Sequence, residues 1–136
     1  MYAFDTNIFV EFLRGRLPIA RDMLMKGDAS MFAVPSVVRA ELLFGAERSA
    51  KPAANRMLVE RLLAPFQPLD FDARCASAYA RIRAELAAKG QLIGPNDLLI
   101  AATALVNEAT LVTRNVREFQ RVPGLRVECW DELELA

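Results

Sequence analysis

The stretch Tyr2-Ala3-Phe4-Asp5-Thr6-Asn7-Ile8-Phe9-Val10 decides how the rest of the chain is read. Its first three residues are too few to cover a helix face. They predict a short buried strand, and a carboxylate stands where that strand gives out. Thr6 or Asn7 can then cap a helix carrying Ile8, Phe9, Phe12 and Leu13, which puts Asp5 at a strand-to-helix turn. In a parallel α/β sheet such turns form the edge where ligands bind. An aspartate there can equally be a helix cap or a turn residue and nothing more. The remaining sequence has to decide between the two.

Outward from this stretch the pattern repeats. Arg14-Gly15-Arg16 makes a turn, Pro18 suits the start of a second helix with Ile19, Met23 and Leu24, and Gly27 closes it. Met31-Phe32-Ala33-Val34 is a second short apolar run, stopped by Pro35. Ser36 is a suitable cap for a helix reaching Glu47, in which Val37, Val38, Ala40, Leu42, Leu43 and Phe44 surround Glu41. Residues 49–53 read as a linker, followed by a helix using Met57, Leu58, Leu62 and Leu63. Pro65 and Pro68 bracket a short extended piece. Asp72 caps a long helix with Cys75, Tyr79, Ile82 and Leu86 on one core-facing stripe, and Gly90 ends it. A turn over 91–97 runs into the apolar helix 98–106, with Asp97 in its first turn. Residues 110–113 predict a third buried strand, 116–119 a short helix and 125–128 a last strand, with Trp130 and Leu133 pinning the tail. Short strands alternating with helices over 1–136, with no internal repeat, predict a single α/β domain with a short, mostly parallel sheet.

Composition narrows the chemistry. The chain has 136 residues, 54% of them hydrophobic, enough for a core without metal or disulfide staples. Its 17 basic and 17 acidic side chains cancel, so a polyanion can be held only by a local patch. Cys75 and Cys129 have no CxxC spacing, and a reducing cytoplasm is the simplest expectation. The start of the chain lacks the basic leader and apolar core of a signal peptide, and the run 98–106 is far short of the roughly 18 to 20 residues of a membrane span. There is no histidine. That removes Ser-His-Asp and Cys-His triads and ribonucleolysis by a histidine pair, and leaves hydrolysis to carboxylates and a metal.

Three acids are surrounded by apolar sequence: Asp5 at a strand end, Glu41 within an apolar helix and Asp97 at a helix start. Each alone can be a paired core or rim residue. If they converge, charges about 5 Å apart repel by roughly 3 kcal/mol per pair at an effective dielectric near 20, and the cluster calls for a cation. Oxygen donors without nitrogen or sulfur suit Mg2+ or Mn2+. Gly45 and Arg48 share a helix face with Glu41, which leaves room for a substrate backbone and a cation for a phosphate; a helix thinning toward its end reads the same way. Asn115 follows the third strand as Asp5 follows the first, so Thr6, Asn7, Thr113 and Asn115 can hold water around the metal. Arg14, Arg16, Arg48, Arg114, Arg117 and Arg121 are candidate RNA contacts or ordinary solvated side chains.

The order Phe-Asp-Thr-Asn, Ala-Glu-Leu-Leu-Phe-Gly, Ile-Gly-Pro-Asn-Asp-Leu-Leu-Ile-Ala-Ala and Leu-Val-Thr-Arg-Asn-Val-Arg-Glu-Phe resembles the PIN-domain ribonucleases, and more narrowly the VapC toxins of bacterial type II toxin-antitoxin modules. The resemblance runs from Asp5 to Trp130. It implies a PIN-like three-layer α/β/α fold and a magnesium-dependent endoribonuclease with Asp5, Glu41 and Asp97 as catalytic metal ligands. It also implies a homodimer and a cognate VapB-type antitoxin whose tail enters the site. The fourth acidic position of the family falls on Asn115. The Gly-Pro-Asn-Asp turn and the run 115–125 look most like the enteric subgroup, which implies initiator tRNA, cut in the anticodon loop, as the RNA. Two other readings stay open. Phosphatase chemistry with Asp5 as nucleophile, as in haloacid-dehalogenase-like enzymes, wants an acid where Asn7 stands. A degenerate PIN-like domain would bind RNA or protein without cutting.

Overall fold

Tyr2–Phe4 forms β1, the central strand of a five-stranded sheet in the computed structural model, which describes residues 1–15, 22 and 25–130. The predicted helix with Pro18, Ile19, Met23 and Leu24 lies outside the described residues, as do Arg16 and Leu133. The other strands are β2 (Phe32–Pro35), β3 (Gln67–Leu69), β4 (Thr110–Val112) and β5 (Val127–Glu128), in the order β3-β2-β1-β4-β5. Every pairing is parallel, so the expected mostly parallel sheet is wholly parallel among the described residues. Among the described residues these helices connect and cover it: α1 (Thr6–Leu13), α2 (Ser36–Glu47), α3 (Pro52–Leu63), α4 (Ala73–Ala88), α5 (Pro95–Val106) and α6 (Val116–Phe119). The chain steps outward from β1 through β2 to β3 and then returns to β4 and β5 on the other side of β1, an order that, with crossovers of the usual right hand, divides the helices between the two faces of the sheet. The direction of winding therefore reverses between β1 and β4.

Strand alternation explains the core. Tyr2 and Phe4 point to one face with Phe32, and there they meet Phe9, Phe66 and Trp130; Phe4 lies 5.7 Å from Phe9 and 5.3 Å from Trp130 in edge-on pairs. Ala3 and Ala33, partners in register, point the other way, and such small residues let a helix approach closely. The alanine-rich α5 packs against β2 and β4, and also against α4.

Several local expectations shift. Asp5 itself, not Thr6 or Asn7, caps α1. Pro35 ends β2 and occupies the cap position of α2, while Ser36 is the first helical residue and donates to Asp70 instead. In α3 the buried residues are Val59 and Leu63, with Met57 and Leu58 exposed, because the helix has more apolar positions than its inward face can take. On α4, Asp72 caps as predicted, but Ala78 rather than Tyr79 is fully buried, Tyr79 lying half-buried beside Phe71. Among the described residues no helix is long and apolar enough to cross a membrane.

Candidate active site

The reversal of winding between β1 and β4 opens a crevice at the carboxyl ends of those two strands, the place where parallel α/β sheets bind ligands. Asp5 follows β1 and Thr113 follows β4. The Asp5 N–H donates to the Val112 carbonyl at 3.0 Å, continuing the ladder one step past the strand and fixing the two residues side by side. Asp5 is only 4% exposed. Its Oδ1 accepts the Thr6 N–H at 2.8 Å, the helix-capping bond, and its Oδ2 accepts the hydroxyl of fully buried Thr113 at 2.7 Å.

Glu41 approaches from α2. The Thr6 hydroxyl donates to its Oε1 at 2.6 Å, and the Asn96 side-chain amide donates to its Oε2 at 3.4 Å. Asp97, in the first turn of α5, lies close enough to Asp5 and Glu41 to feel both charges. A fourth acid, which the sequence pattern does not single out, joins them. Glu118, in the first turn of α6, lies close enough to Asp97 to raise its proton affinity, and it accepts the Asn115 side-chain amide at Oε2, 3.0 Å away. Asn115 also donates its N–H to the Thr113 hydroxyl at 2.9 Å. Asn115 thus stands where an acid was expected and holds the acid that lies three residues further on. The one signal for Glu118 in the sequence is its place in the first turn of a helix directly after β4, equivalent to a position beyond Asp5.

Proton affinities record the crowding. Burial pushes the Asp5 carboxyl up from its ordinary value, and the Glu41 charge adds to this, while the bonds from Thr113 and Thr6 pull it back. Asp97 is pushed up to about 6, chiefly by burial and then by the charges of Asp5, Glu118 and Glu41. Four acids from four separate segments repel one another here, and all their neighbouring donors are hydroxyls and amides. This oxygen-only donor set fits a hard divalent cation. No three of these side chains, among the described residues, already form a coordination group. Oxygens of Asp5, Glu41 and Glu118 are engaged by Thr6, Thr113, Asn96 and Asn115.

The remaining predicted residues divide. Asn7 is exposed on α1, and no hydrogen bond among the described residues ties it to the acids. A groove of about 360 Å³ runs beside Glu41 and Thr6, lined by Val10, Arg14, Gly45 and Leu58 among others, and a methyl group added at Gly45 would meet open space. Arg48 lies over the exposed Phe44 ring, 5.4 Å from its centre. Arg14 and Arg114 both reach Glu11, Arg117 is exposed on α6, and Arg121 donates to the Leu92 carbonyl.

Residues 2–125 match the PIN domain family model, and the chain belongs to that family. Within it the similarity is to the VapC ribonucleases. The chain is 38% identical over 134 residues to ribonuclease VapC2 of Rickettsia felis, covering 97% of this chain and 99% of that protein. It is 36% identical over 129 residues to the tRNA(fMet)-specific endonuclease VapC of Salmonella typhimurium, covering 95% and 97%. The crystal structure of DNA-bound VapBC from Salmonella typhimurium matches with a TM-score of 0.89 at 35% identity, covering 95% of this chain and 97% of that one.

Proposed function

We propose that this chain is the toxin of a type II toxin-antitoxin pair and hydrolyses RNA phosphodiesters at the Asp5, Glu41, Asp97 and Glu118 cluster with Mg2+ or Mn2+. The observation that carries this reading is the meeting of four carboxylates at the switch point of a parallel sheet, where burial first and then the charges of Asp5, Glu118 and Glu41 push Asp97 to about 6. When bound, a divalent cation offsets that repulsion and supplies Lewis acidity toward water and a phosphoryl oxygen. The chain's own residues set the geometry. Thr113 and the Thr6 N–H fix the orientation of Asp5, Thr6 and Asn96 fix Glu41, and Asn115 fixes Glu118. Such partners keep acids from turning away from one another when the site is empty of positive charge. In-line attack by water leaves a 5′-phosphate and a 3′-hydroxyl.

With Glu118 in the cluster, Asn115 is no reason to read the domain as a non-cutting binder. Similarity to a tRNA(fMet)-specific endonuclease supports initiator tRNA as the RNA, and the cut proposed for it lies in the anticodon loop. Likeness to chains from VapBC complexes supports a VapB-type antitoxin as partner, and the proposal takes the toxin to be a homodimer acting in the cytoplasm. The apolar groove beside Glu41 is suited to the antitoxin's tail. Inducible expression followed by mapping of RNA 5′ ends tests both activity and substrate. New ends clustered in the initiator tRNA anticodon loop are expected, and absent with Asp5→Asn. Ends confined to other RNAs contradict the tRNA assignment, and no new ends contradict the ribonuclease.

A further inference from the structure

Phe44 departs from what burial asks of a large aromatic. It sits on α2 and is 61% exposed, while Val38, Leu42 and Ala46 on the same helix fill the core. One exposed apolar residue is ordinary on a protein surface, so exposure by itself assigns it nothing. Its neighbours do. Phe44 follows Glu41 by three residues and precedes Arg48 by four, so all three share one stripe of the helix, with the ring about 4.5 Å and Arg48 about 10.5 Å along the axis from Glu41. The guanidinium carbon of Arg48 lies 5.4 Å from the ring centre, within cation–π reach. Gly45, one turn past Glu41, has open space over it.

Arg48 has no acid of its own. The adjacent Glu47 pairs with Arg56, and among the described residues no carboxylate takes Arg48. The ring therefore carries a guanidinium whose five N–H donors stay open to a ligand. Along the helix the positions one turn from Phe44 are Ala40, Glu41, Glu47 and Arg48, so the exposed apolar surface of this stripe is little more than the ring itself. That area suits one flat group better than the apolar face of a partner helix. A single-stranded nucleotide offers the complement: a base that stacks on an aromatic face, and a phosphate that meets a cation beside it. A chain of zero net charge with clustered acids repels a polyanion elsewhere, so attraction has to come from a local group. We propose that Phe44 and Arg48 form a nucleotide subsite beside the acid cluster, in which a base of the RNA strand stacks on the Phe44 ring while Arg48 meets its phosphate. That this nucleotide belongs to a substrate rests on the ribonuclease reading; the pairing of ring and cation does not.

A cycle between the ring and the base tests this. Binding is followed by fluorescence anisotropy in the Asp5→Asn protein, so that RNA stays intact, with thermal melts as a folding control. Two fluorescein-labelled probes of about ten nucleotides are compared, oligouridylate and the same ribose–phosphate chain without bases. Phe44→Ala should weaken oligouridylate about fivefold or more and leave the base-free chain unchanged, and Phe44→Tyr should keep the affinity of the parent. Arg48→Ala should weaken both probes and flatten the plot of log affinity against log salt by about 0.7, the loss of one phosphate contact. Unchanged affinity for oligouridylate in Phe44→Ala, the outcome for a ring that serves a protein partner, would overturn the proposal. So would an equal loss for both probes, or no binding of oligouridylate at all. If Phe44→Ala does not fold, Phe44→Leu, apolar but without a π face, is read in its place. Cleavage by the Asp5-intact protein is followed in parallel. RNA that is bound through Phe44 yet never cut would sink the ribonuclease reading and leave the subsite standing, and RNA that is cut but bound without help from Phe44 does the reverse.

Discussion

At Asp5 one carboxylate both caps a helix and faces the charges of Glu41 and Asp97, so the cap reading and the functional reading, alternatives in the sequence, describe the same atoms. The Thr113 hydroxyl is what makes this possible, because it occupies the oxygen that the cap leaves over. Thr113→Val keeps the shape and removes that bond. It should cost about 1–3 kcal/mol of stability, seen in urea unfolding, and roughly 10- to 100-fold in RNA cleavage. Asp97 gives a prediction of opposite sign for stability. Its pKa is raised from 3.8 to about 6, so the native state binds more protons than the unfolded chain between those values. Stability from this group is therefore greatest below the lower value, falls as pH rises through the window, and stays reduced above about 6. In cation-free protein Asp97→Asn should raise stability at about pH 7.5 by roughly 1 kcal/mol after solvent screening, a Tm gain of about 3 °C, and by much less at about pH 4.5. Asp5, Glu41 and Asp97 were legible as lone acids in apolar sequence. Glu118 was not, since Arg117 and Gln120 beside it look like ordinary solvated helix positions.

At the scale of elements, boundaries follow local chemistry that the sequence shows unevenly. Gly90 ends α4 with φ +65°, and the Gln91 N–H reaches back to the Leu86 carbonyl, as its glycine announces. α5 ends by the same geometry, with Ala109 donating to the Ala104 carbonyl, but the left-handed residue is Glu108 at φ 55°, which no glycine marks. Glu108→Gly relieves that strain and should stabilise the protein by about 0.5–1 kcal/mol, measured as a raised denaturant midpoint at unchanged slope. The opposite substitution at a working cap, Asp72→Ala, should lower the denaturant midpoint, since it removes the bond to the Cys75 N–H. Inward faces were harder to read where apolar residues exceed what a face can bury, as Met57 and Leu58 on α3 show.

At the scale of the molecule, the order β3-β2-β1-β4-β5 brings residues 5, 41, 97 and 118 to one edge, and no local pattern states that order. The alternation of elements made a parallel sheet legible; the reversal beside β1 that sets Asp5 next to Thr113 depends on which strand pairs with which. A cluster assembled this way gathers like charge from distant segments, and under the proposed function a bound cation would offset that repulsion and link cation binding to activity through the same four side chains. The most direct test is cleavage of purified initiator tRNA by the purified protein with Mg2+, with EDTA, and with Asp5→Asn, each variant verified as folded. A defined cut carrying a 5′-phosphate is expected with Mg2+ alone, and none in the other two reactions. Undiminished cleavage in EDTA or by Asp5→Asn would contradict a cation-dependent site built on Asp5.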